Sequence, residues 1–180
     1  MKGFLARLLD NKPEAAPPPN AAQSATKDGF TTAGGVWYFA NPIHLEARME
    51  HLVPSADISA HLDANTWQQL ESLLNTHFNS EELRFFLTLN PTPQLYLRVT
   101  TPFALTPLPV SAILGRPIAS HWPSETEARP LIRPLARLLN EIQMLLHEQP
   151  FNEAREARGE PPINGLWLWD IPALPAGFKL

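Results

Sequence analysis

Polar side chains that can bind a ligand are concentrated near the end of the chain. Asn140, Gln143 and His147 follow one another at intervals of three and four, so in an α-helix they form one polar stripe. Such groups donate and accept hydrogen bonds. A stripe opposite an apolar face is ordinarily exposed to solvent, and this alternative stays open. The other interpretation is a polar binding site to which Asn152 and Asn164 contribute.

Two arginines lie in the same region. Arg155 and Arg158 are three residues apart in EAREAR, where two guanidinium groups on one helical turn can hold a phosphate or a carboxylate. The alternative is local pairing with the acidic residues beside them, which are Glu153, Glu156 and Glu160. The sequence therefore predicts either an anion site or a set of structural ion pairs.

Two tryptophans near the end of the chain are candidates for ligand stacking. Trp167 and Trp169 alternate with Leu166 and Leu168. In a β-strand this alternation places both indoles on one face and both leucines on the other. The indoles can stack on a ligand or fill a core, and both alternatives remain open.

Composition and charge argue against several classes of function. The formal net charge is -4, whereas nucleic-acid binding needs clustered Lys and Arg, so we expect no nucleic-acid partner. The chain has no cysteine, which fits a reducing compartment, and we expect a cytoplasmic protein. No apolar stretch approaches the length of a membrane span, so no transmembrane segment is predicted.

Catalytic motifs are missing from the sequence. It has no Gly-x-Ser-x-Gly elbow, no phosphate-binding loop and no dinucleotide fingerprint. Its 6 histidines form no HExxH or comparable pair. We therefore expect no catalytic residue, no metal site and no cofactor, and we favour a protein that is not an enzyme.

Changes in composition divide the chain into four parts. Residues 1–12 form a short amphipathic segment, and residues 13–35, rich in Pro, Ala, Ser, Thr and Gly, predict a flexible linker. Residues 36–170 predict a single α+β domain, and residues 171–180 form an apolar C-terminal tail.

The N-terminal segment is a candidate docking peptide for a protein partner. Its apolar residues recur at helical spacing beside basic side chains. The alternatives are a weak membrane-surface contact, a frayed end, or a helix that packs on its own domain. The candidate docking residues are Phe4, Leu5, Leu8 and Leu9.

The first half of the domain predicts strands around one helix. The runs VWYF, IHLEA and HLVPS predict three strands, with a turn at 48–50. Helical periodicity predicts a helix over 64–78, capped by Asp63. LRFFLTL and QLYLRVT flank the turn sequence at 90–93 and predict a hairpin of central strands.

The second half predicts helices followed by a last strand. A short helix is expected over 107–114. A capping box at 124–127 opens a helix that Pro130 and Pro134 must kink or restart, with its clean part over 134–149. Asn152 can cap a further short helix. INGLWLWD predicts the last strand. One helical face over 131–146 predicts core residues, which are Leu131, Leu135, Leu138, Ile142, Leu145 and Leu146.

The order of these elements predicts the fold class. It lacks the regular strand–helix alternation of a doubly wound fold. We therefore expect an α+β fold with a mainly antiparallel sheet and helices packed on one side.

The run NEIQMLLHEQPFNEAREARGEPPINGLWLW closely resembles the C-terminal signature of a bacterial family. That family is known both as cofactor-independent phosphoglycerate mutase-like and as an RpfE-type regulatory protein. ANPIHLEARMEHLV is similar to its preceding strand pair, and LNTHF, LYLRV and ILGRPI follow its order. The resemblance covers most of 40–169 and implies an N-terminally shortened member.

The resemblance implies a chemistry that these residues do not readily supply. Cofactor-independent phosphoglycerate mutases use a phosphoserine intermediate and two divalent metals, which require several Asp and His ligands. Outside the tail, the linker and the predicted cap, the aspartates are Asp57 and Asp170. We therefore expect a noncatalytic protein-binding, assembly or regulatory module. The alternatives are a small-molecule or phosphate-binding regulatory domain and, third, a metal-dependent phosphotransferase.

Overall fold

The computed structural model describes residues 18–122 and 129–171. The predictions for residues 1–12, for the capping box at 124–127 and for all but the first residue of the C-terminal tail lie outside these ranges. The described helices and strands, in chain order, are α1 (Ala21–Lys27), β1 (Val36–Arg48), β2 (His51–Asp57), α2 (Ala64–Phe78), β3 (Leu83–Thr88), β4 (Gln94–Val99), α3 (Val110–Ile113), α4 (Arg129–His147), α5 (Pro150–Ala157) and β5 (Gly165–Trp169).

The long strand β1 organises the sheet. It pairs antiparallel with β4 along its first part, with β5 along its middle and with β2 along its last part. β4 also pairs antiparallel with β3. The predicted α+β fold class with an antiparallel sheet is therefore confirmed.

The main core lies between one face of the sheet and the helices α2 and α4. Alternate strand residues point to this face, among them Tyr38, Leu95 and Leu97. α2 matches its predicted bounds, and the Asp63 side chain accepts the Thr66 N–H at 2.7 Å, as predicted for its cap. The buried apolar residues of α2 are Trp67, Leu70 and Leu74.

The helix α4 begins before the predicted clean part, and its buried face differs from the prediction at one end. It begins at Arg129 and continues through Pro134. Leu131 is 57% exposed, so its assignment to the core was wrong, and Ile132 is buried instead. Ile132 lies three residues before Leu135, which continues the helical spacing of the buried face, whereas Leu131 is rotated away by about 100°.

The predicted flexible linker was wrong for the part of 13–35 that the structure describes, because α1 lies there. A capping box begins the helix: the Asn20 side chain accepts the Gln23 N–H, and the Gln23 side chain accepts the Asn20 N–H. Ala21 and Ala25 are fully buried on the sheet face opposite the main core, in a cluster with Trp37, Phe39 and Tyr96. Small side chains make this contact, which is why the composition resembles a linker.

The strands correct two further predictions. VWYF and IHLEA form one continuous strand, β1, and the register of its pairing with β2 shifts between His44 and Leu45. β3 is an edge strand, not a central one, because only β4 pairs with it among the described strands.

Side chains of α2 cover the free edge of β3. Asn75 accepts the Phe85 N–H at 2.8 Å and donates to the Phe85 carbonyl at 3.1 Å. Glu71 accepts the Leu87 N–H at 3.2 Å. The helix thereby satisfies main-chain groups that an edge strand would otherwise expose to another chain.

Candidate functional site

Asn152 does not cap α5, and its side chain is bonded to the main chain. The helix begins at Pro150 after Gln149, so the predicted cap was wrong. Asn152 is 5% exposed. Its side chain donates to the carbonyls of Leu146 and Ile163 and accepts the Ile163 N–H at 2.7 Å. It therefore joins the end of α4 to the segment that leads into β5.

Asn164 has a comparable structural contact. Its side-chain oxygen accepts the Leu45 N–H at 2.7 Å, and its amide donates to the Leu45 carbonyl at 2.9 Å. The next residue, Gly165, packs closely against β1, because a Cβ atom there would lie 2.8 Å from Leu45 Cδ1 and displace that side chain. Asn164 thus fastens the start of β5 to β1.

The two arginines of the predicted anion site share one carboxylate. Arg155 is 3% exposed, donates from Nε to the Pro161 carbonyl and lies 3.2 Å from Glu160. Arg158 donates to Glu160 through two nitrogens, at 3.0 and 3.1 Å. This bonding lowers the pKa of Glu160 and raises the pKa of Arg158. The structure thus shows local pairing, the alternative interpretation of these residues.

On one face of β5, Trp167 belongs to a buried cluster and the half-buried Trp169 packs against it. Trp167 is 1% exposed and its indole N–H donates to the Leu108 carbonyl at 2.8 Å. Trp169 donates to the Asn41 side chain at 2.8 Å and stacks on Phe39, with ring centroids 4.5 Å apart. Filling a core is therefore the role that the structure shows for these indoles.

The polar stripe of α4 remains accessible. Asn140 and His147 are exposed and Gln143 is half-buried. Together with Met144, Glu148 and Asn164 they line an open depression of about 510 Å³. The structure therefore brings four of the sequence-predicted residues together, while Asn152, Arg155, Arg158, Trp167 and Trp169 do not line this depression.

An apolar cleft adjoins the polar depression, between α4 and the strands β1 and β5. Asn140 and Gln143 line both of them. The cleft encloses about 80 Å³. Its apolar lining consists of Ile43, Leu45, Leu52, Ile118, Trp122, Ala136, Leu139, Leu166 and Trp167.

Two exposed residues that line the polar depression, Met144 and Glu148, were not among the predicted site residues. Met144 lies four residues after Asn140, and its side chain is 78% exposed. The helical arithmetic that identified the stripe also places Met144 beside it. Its apolar side chain kept Met144 out of the predicted polar stripe.

The polar depression and the apolar cleft together can bind a partner or ligand through hydrogen bonds and apolar contacts. Amide and imidazole groups line the depression, and the apolar cleft lies beside them. In the described ranges, no group of three or more His, Asp or Glu side chains is placed to hold a metal ion. In the same ranges no helix is long and apolar enough to cross a membrane.

Comparisons with known proteins show a partial likeness to one kind of enzyme. The chain matches no protein-family model. Over 70 residues it is 34% identical to the 2,3-bisphosphoglycerate-independent phosphoglycerate mutase of Methanothrix thermoacetophila, which covers 37% of this chain and 17% of that protein. The chain therefore spans less than a fifth of the curated relative that it matches.

A solved structure extends the likeness to the fold. The cofactor-independent phosphoglycerate mutase from Thermoplasma acidophilum superposes with a TM-score of 0.53 at 18% sequence identity, over 79% of this chain and 38% of that chain. At this identity the likeness concerns the fold alone. The expected similarity to phosphoglycerate mutases is thus confirmed in part, while the RpfE-type and bacterial assignments stay predictions.

Proposed function

We propose that this protein is a noncatalytic binding module that holds a protein partner against the exposed side of α4. The observation that carries the proposal is the position of Asn140, which lines three adjoining depressions. One is the apolar cleft, one is the polar depression, and the third is lined by Arg133, Ala136, Arg137, Asn140, Glu141 and Met144. We call this combined region the α4 surface.

The chemistry of the α4 surface suits a protein better than a small anion. An exposed methionine offers apolar contact that adapts to a partner's shape, and Met144 is surrounded by groups that form hydrogen bonds. Arg133, Arg137 and Glu141 add charges of both signs at one end. A mixed surface of this kind resembles the polar rim and apolar centre of protein interfaces.

The N-terminal segment is proposed as a second contact with the same partner. Its support is the helical spacing of Phe4, Leu5, Leu8 and Leu9 in the sequence. Once one of two linked contacts has formed, the other forms at a high effective concentration, so each contact can be weak by itself. We propose an assembly or regulatory role on this basis.

The small-molecule or phosphate-binding alternative has less support at its predicted centre. Arg155 and Arg158 both contact Glu160, so an incoming anion would have to replace a carboxylate that is already bound. For Arg155, it would also have to reach a side chain that is almost fully buried.

The likeness to a phosphoglycerate mutase favours a second candidate, a metal-dependent phosphotransferase. The residues that the structure describes do not fit its metal centre, because no cluster of ligands is present among them. Elemental analysis after incubation with divalent metal, together with a phosphoglycerate mutase assay, tests this candidate. Bound metal with mutase turnover would replace the noncatalytic proposal.

A methionine pair allows a matched test of the α4 surface. Met144→Glu introduces a charge into the surface, whereas Met49→Glu makes the same change at a fully exposed residue of the β1–β2 turn. The chain with a photo-crosslinking residue at position 140 is used to capture the partner. We expect Met144→Glu to abolish the cross-link and Met49→Glu to retain it.

Two further measurements complete this experiment. Deleting residues 1–12 should weaken capture while leaving thermal unfolding of the remaining chain unchanged. Light scattering of the purified protein shows whether the partner is a second copy, because a dimer would then dissociate on Met144→Glu. Equal cross-linking by both methionine variants would contradict the proposal.

A further inference from the structure

A separate depression of about 770 Å³ lies where the end of α2 meets β3 and β4. None of its lining residues belongs to the α4 surface. The residues that line it are Asn75, Asn79, Ser80, Glu81, Glu82, Leu83, Arg84, Phe86, Arg98 and Thr100.

Two arginines that line this depression are neighbours on adjacent strands. Arg84 of β3 and Arg98 of β4 are direct partners in the antiparallel register, so their side chains leave the same face. Like charges directly opposite each other destabilise a strand pair. In the described ranges, ion pairs occur at Glu46, Glu141 and Glu160, and none includes Arg84 or Arg98.

Arg98 is held in place by the main chain. Its terminal nitrogen donates to the Glu81 carbonyl at 2.7 Å. Gly35 makes room for its stem, because a Cβ atom at that position would lie 2.8 Å from Arg98 Cγ. The Nε atom is buried and has no hydrogen-bond partner within the part of the chain that the structure describes. A buried hydrogen-bond donor without an acceptor costs folding free energy, and a suitable acceptor would remove this cost.

An aromatic wall adjoins the arginine pair. Phe86 lies two residues after Arg84 and therefore on the same face of β3. The Arg84 guanidinium carbon lies 5.8 Å from the centre of the Phe86 ring, within the range of a cation–π contact. The depression thus combines two cations with an apolar surface.

We propose that this depression binds the oxyanion group, a carboxylate or a phosphate, of a small molecule whose body lies against Phe86. The anion relieves the repulsion between Arg84 and Arg98, and guanidinium groups are suited to bind such groups with paired hydrogen bonds. Glu81 and Glu82 also line the depression, and their carboxylates offset part of the positive charge of the two arginines.

Calorimetric titration of the intact chain tests this site with three probes. Phenyl phosphate and benzoate carry the same ring with different oxyanions, and inorganic phosphate lacks the ring. We expect one of the two aromatic probes to bind with a dissociation constant below about 1 mM. Inorganic phosphate should bind more weakly, because it has no body to contact Phe86.

Variants identify the arginines as the contacts. Arg84→Gln, at an exposed position, should weaken binding about tenfold or more, since it removes a charged donor. The matched control is Arg48→Gln, because Arg48 is exposed on β1 and pairs with Glu46 away from the depression. Arg98→Lys keeps the positive charge but removes the guanidinium group and its Nε donor. We expect it to lose affinity, because the anion is held by a guanidinium in a fixed position. Circular dichroism checks that the variant is folded.

The titrations distinguish a specific arginine site from general attraction of anions to surface charge. No binding of any probe at millimolar concentration would overturn the proposal. Equal weakening by Arg84→Gln and Arg48→Gln would overturn it too, because general surface charge would then account for binding. The site is independent of the proposed partner surface, so Met144→Glu should leave the titration unchanged.

Discussion

The Asn164 side chain takes the place of a strand partner for Leu45, because it forms hydrogen bonds with both the N–H and the carbonyl of Leu45. The ladder between β1 and β5 ends with the pair Ile43 and Gly165. Beyond that pair, the amide of Asn164 supplies the acceptor and the donor that a further main-chain partner would offer. A side chain therefore extends the sheet where the strand itself ends.

Two other asparagines make the same double contact. Asn152 pairs with the N–H and carbonyl of Ile163, and Asn75 pairs with those of Phe85. In each case a side-chain amide satisfies main-chain groups that have no strand neighbour. Asparagines that the sequence suggests as ligands can thus be parts of the fold.

Asn152→Ala should destabilise the protein by about 2–4 kcal/mol, because it leaves the buried N–H and carbonyl of Ile163 without partners and removes one of the donors to the Leu146 carbonyl. Asn140→Ala is the matched control. It removes the same side chain from an exposed position of α4, so its effect should stay within about 0.5 kcal/mol. Urea unfolding monitored by tryptophan fluorescence measures both. Similar losses for the two variants would contradict the structural role of Asn152.

Asn75→Ala should open the edge of β3. Without the side chain, the Phe85 N–H loses its acceptor, and we expect its amide to exchange with solvent about tenfold faster or more. Thr76→Ala is the control, since it changes the neighbouring exposed residue of the same helix. Hydrogen exchange of the peptide that contains Phe85 provides the measurement. Unchanged exchange in Asn75→Ala would contradict the role of Asn75 in covering the edge of β3.

Local periodicity predicts some elements well and others poorly for physical reasons. α2 was predicted at its observed bounds, because large apolar residues at helical spacing follow a capping Asp63. α1 was missed because alanines bury too little surface to stand out from a linker. The polar stripe of α4 was found, since one helix carries it. Arg84 and Arg98 could not be paired, because only the strand register brings them together.

The cap of α2 predicts a dependence of stability on pH. The Thr66 N–H bonds to the Asp63 carboxylate and lowers its pKa below the ordinary value. An acid whose pKa is lowered on folding stabilises the fold above its unfolded pKa, and this contribution is lost as the pH falls through its folded pKa. Asp63→Asn keeps a hydrogen-bond acceptor but has no charge. The free energy of unfolding of the natural protein should therefore exceed that of this variant at about pH 7, and the difference should shrink as the pH falls to about pH 3.

Asp63→Ala provides the second comparison for this cap. It removes the acceptor as well as the charge, and we expect a loss of about 1 kcal/mol near neutral pH. Urea unfolding of all three proteins at each pH provides the measurement. A difference between the natural protein and Asp63→Asn that does not change with pH would contradict a stabilising charge at this cap.

Ala25→Arg should detach α1 from the sheet. Ala25 is fully buried in the cluster with Trp37 and Phe39, where a long charged side chain has no room. Amides of residues 21–28 should then exchange about tenfold faster or more, while α2 stays protected. Lys27→Arg introduces the same residue at an exposed position of α1 and should leave exchange unchanged. A helix of 7 residues is marginal in isolation, so its protection must come from contacts with the rest of the chain. Unchanged exchange in Ala25→Arg would mean that the alanine contact does not hold α1 in place.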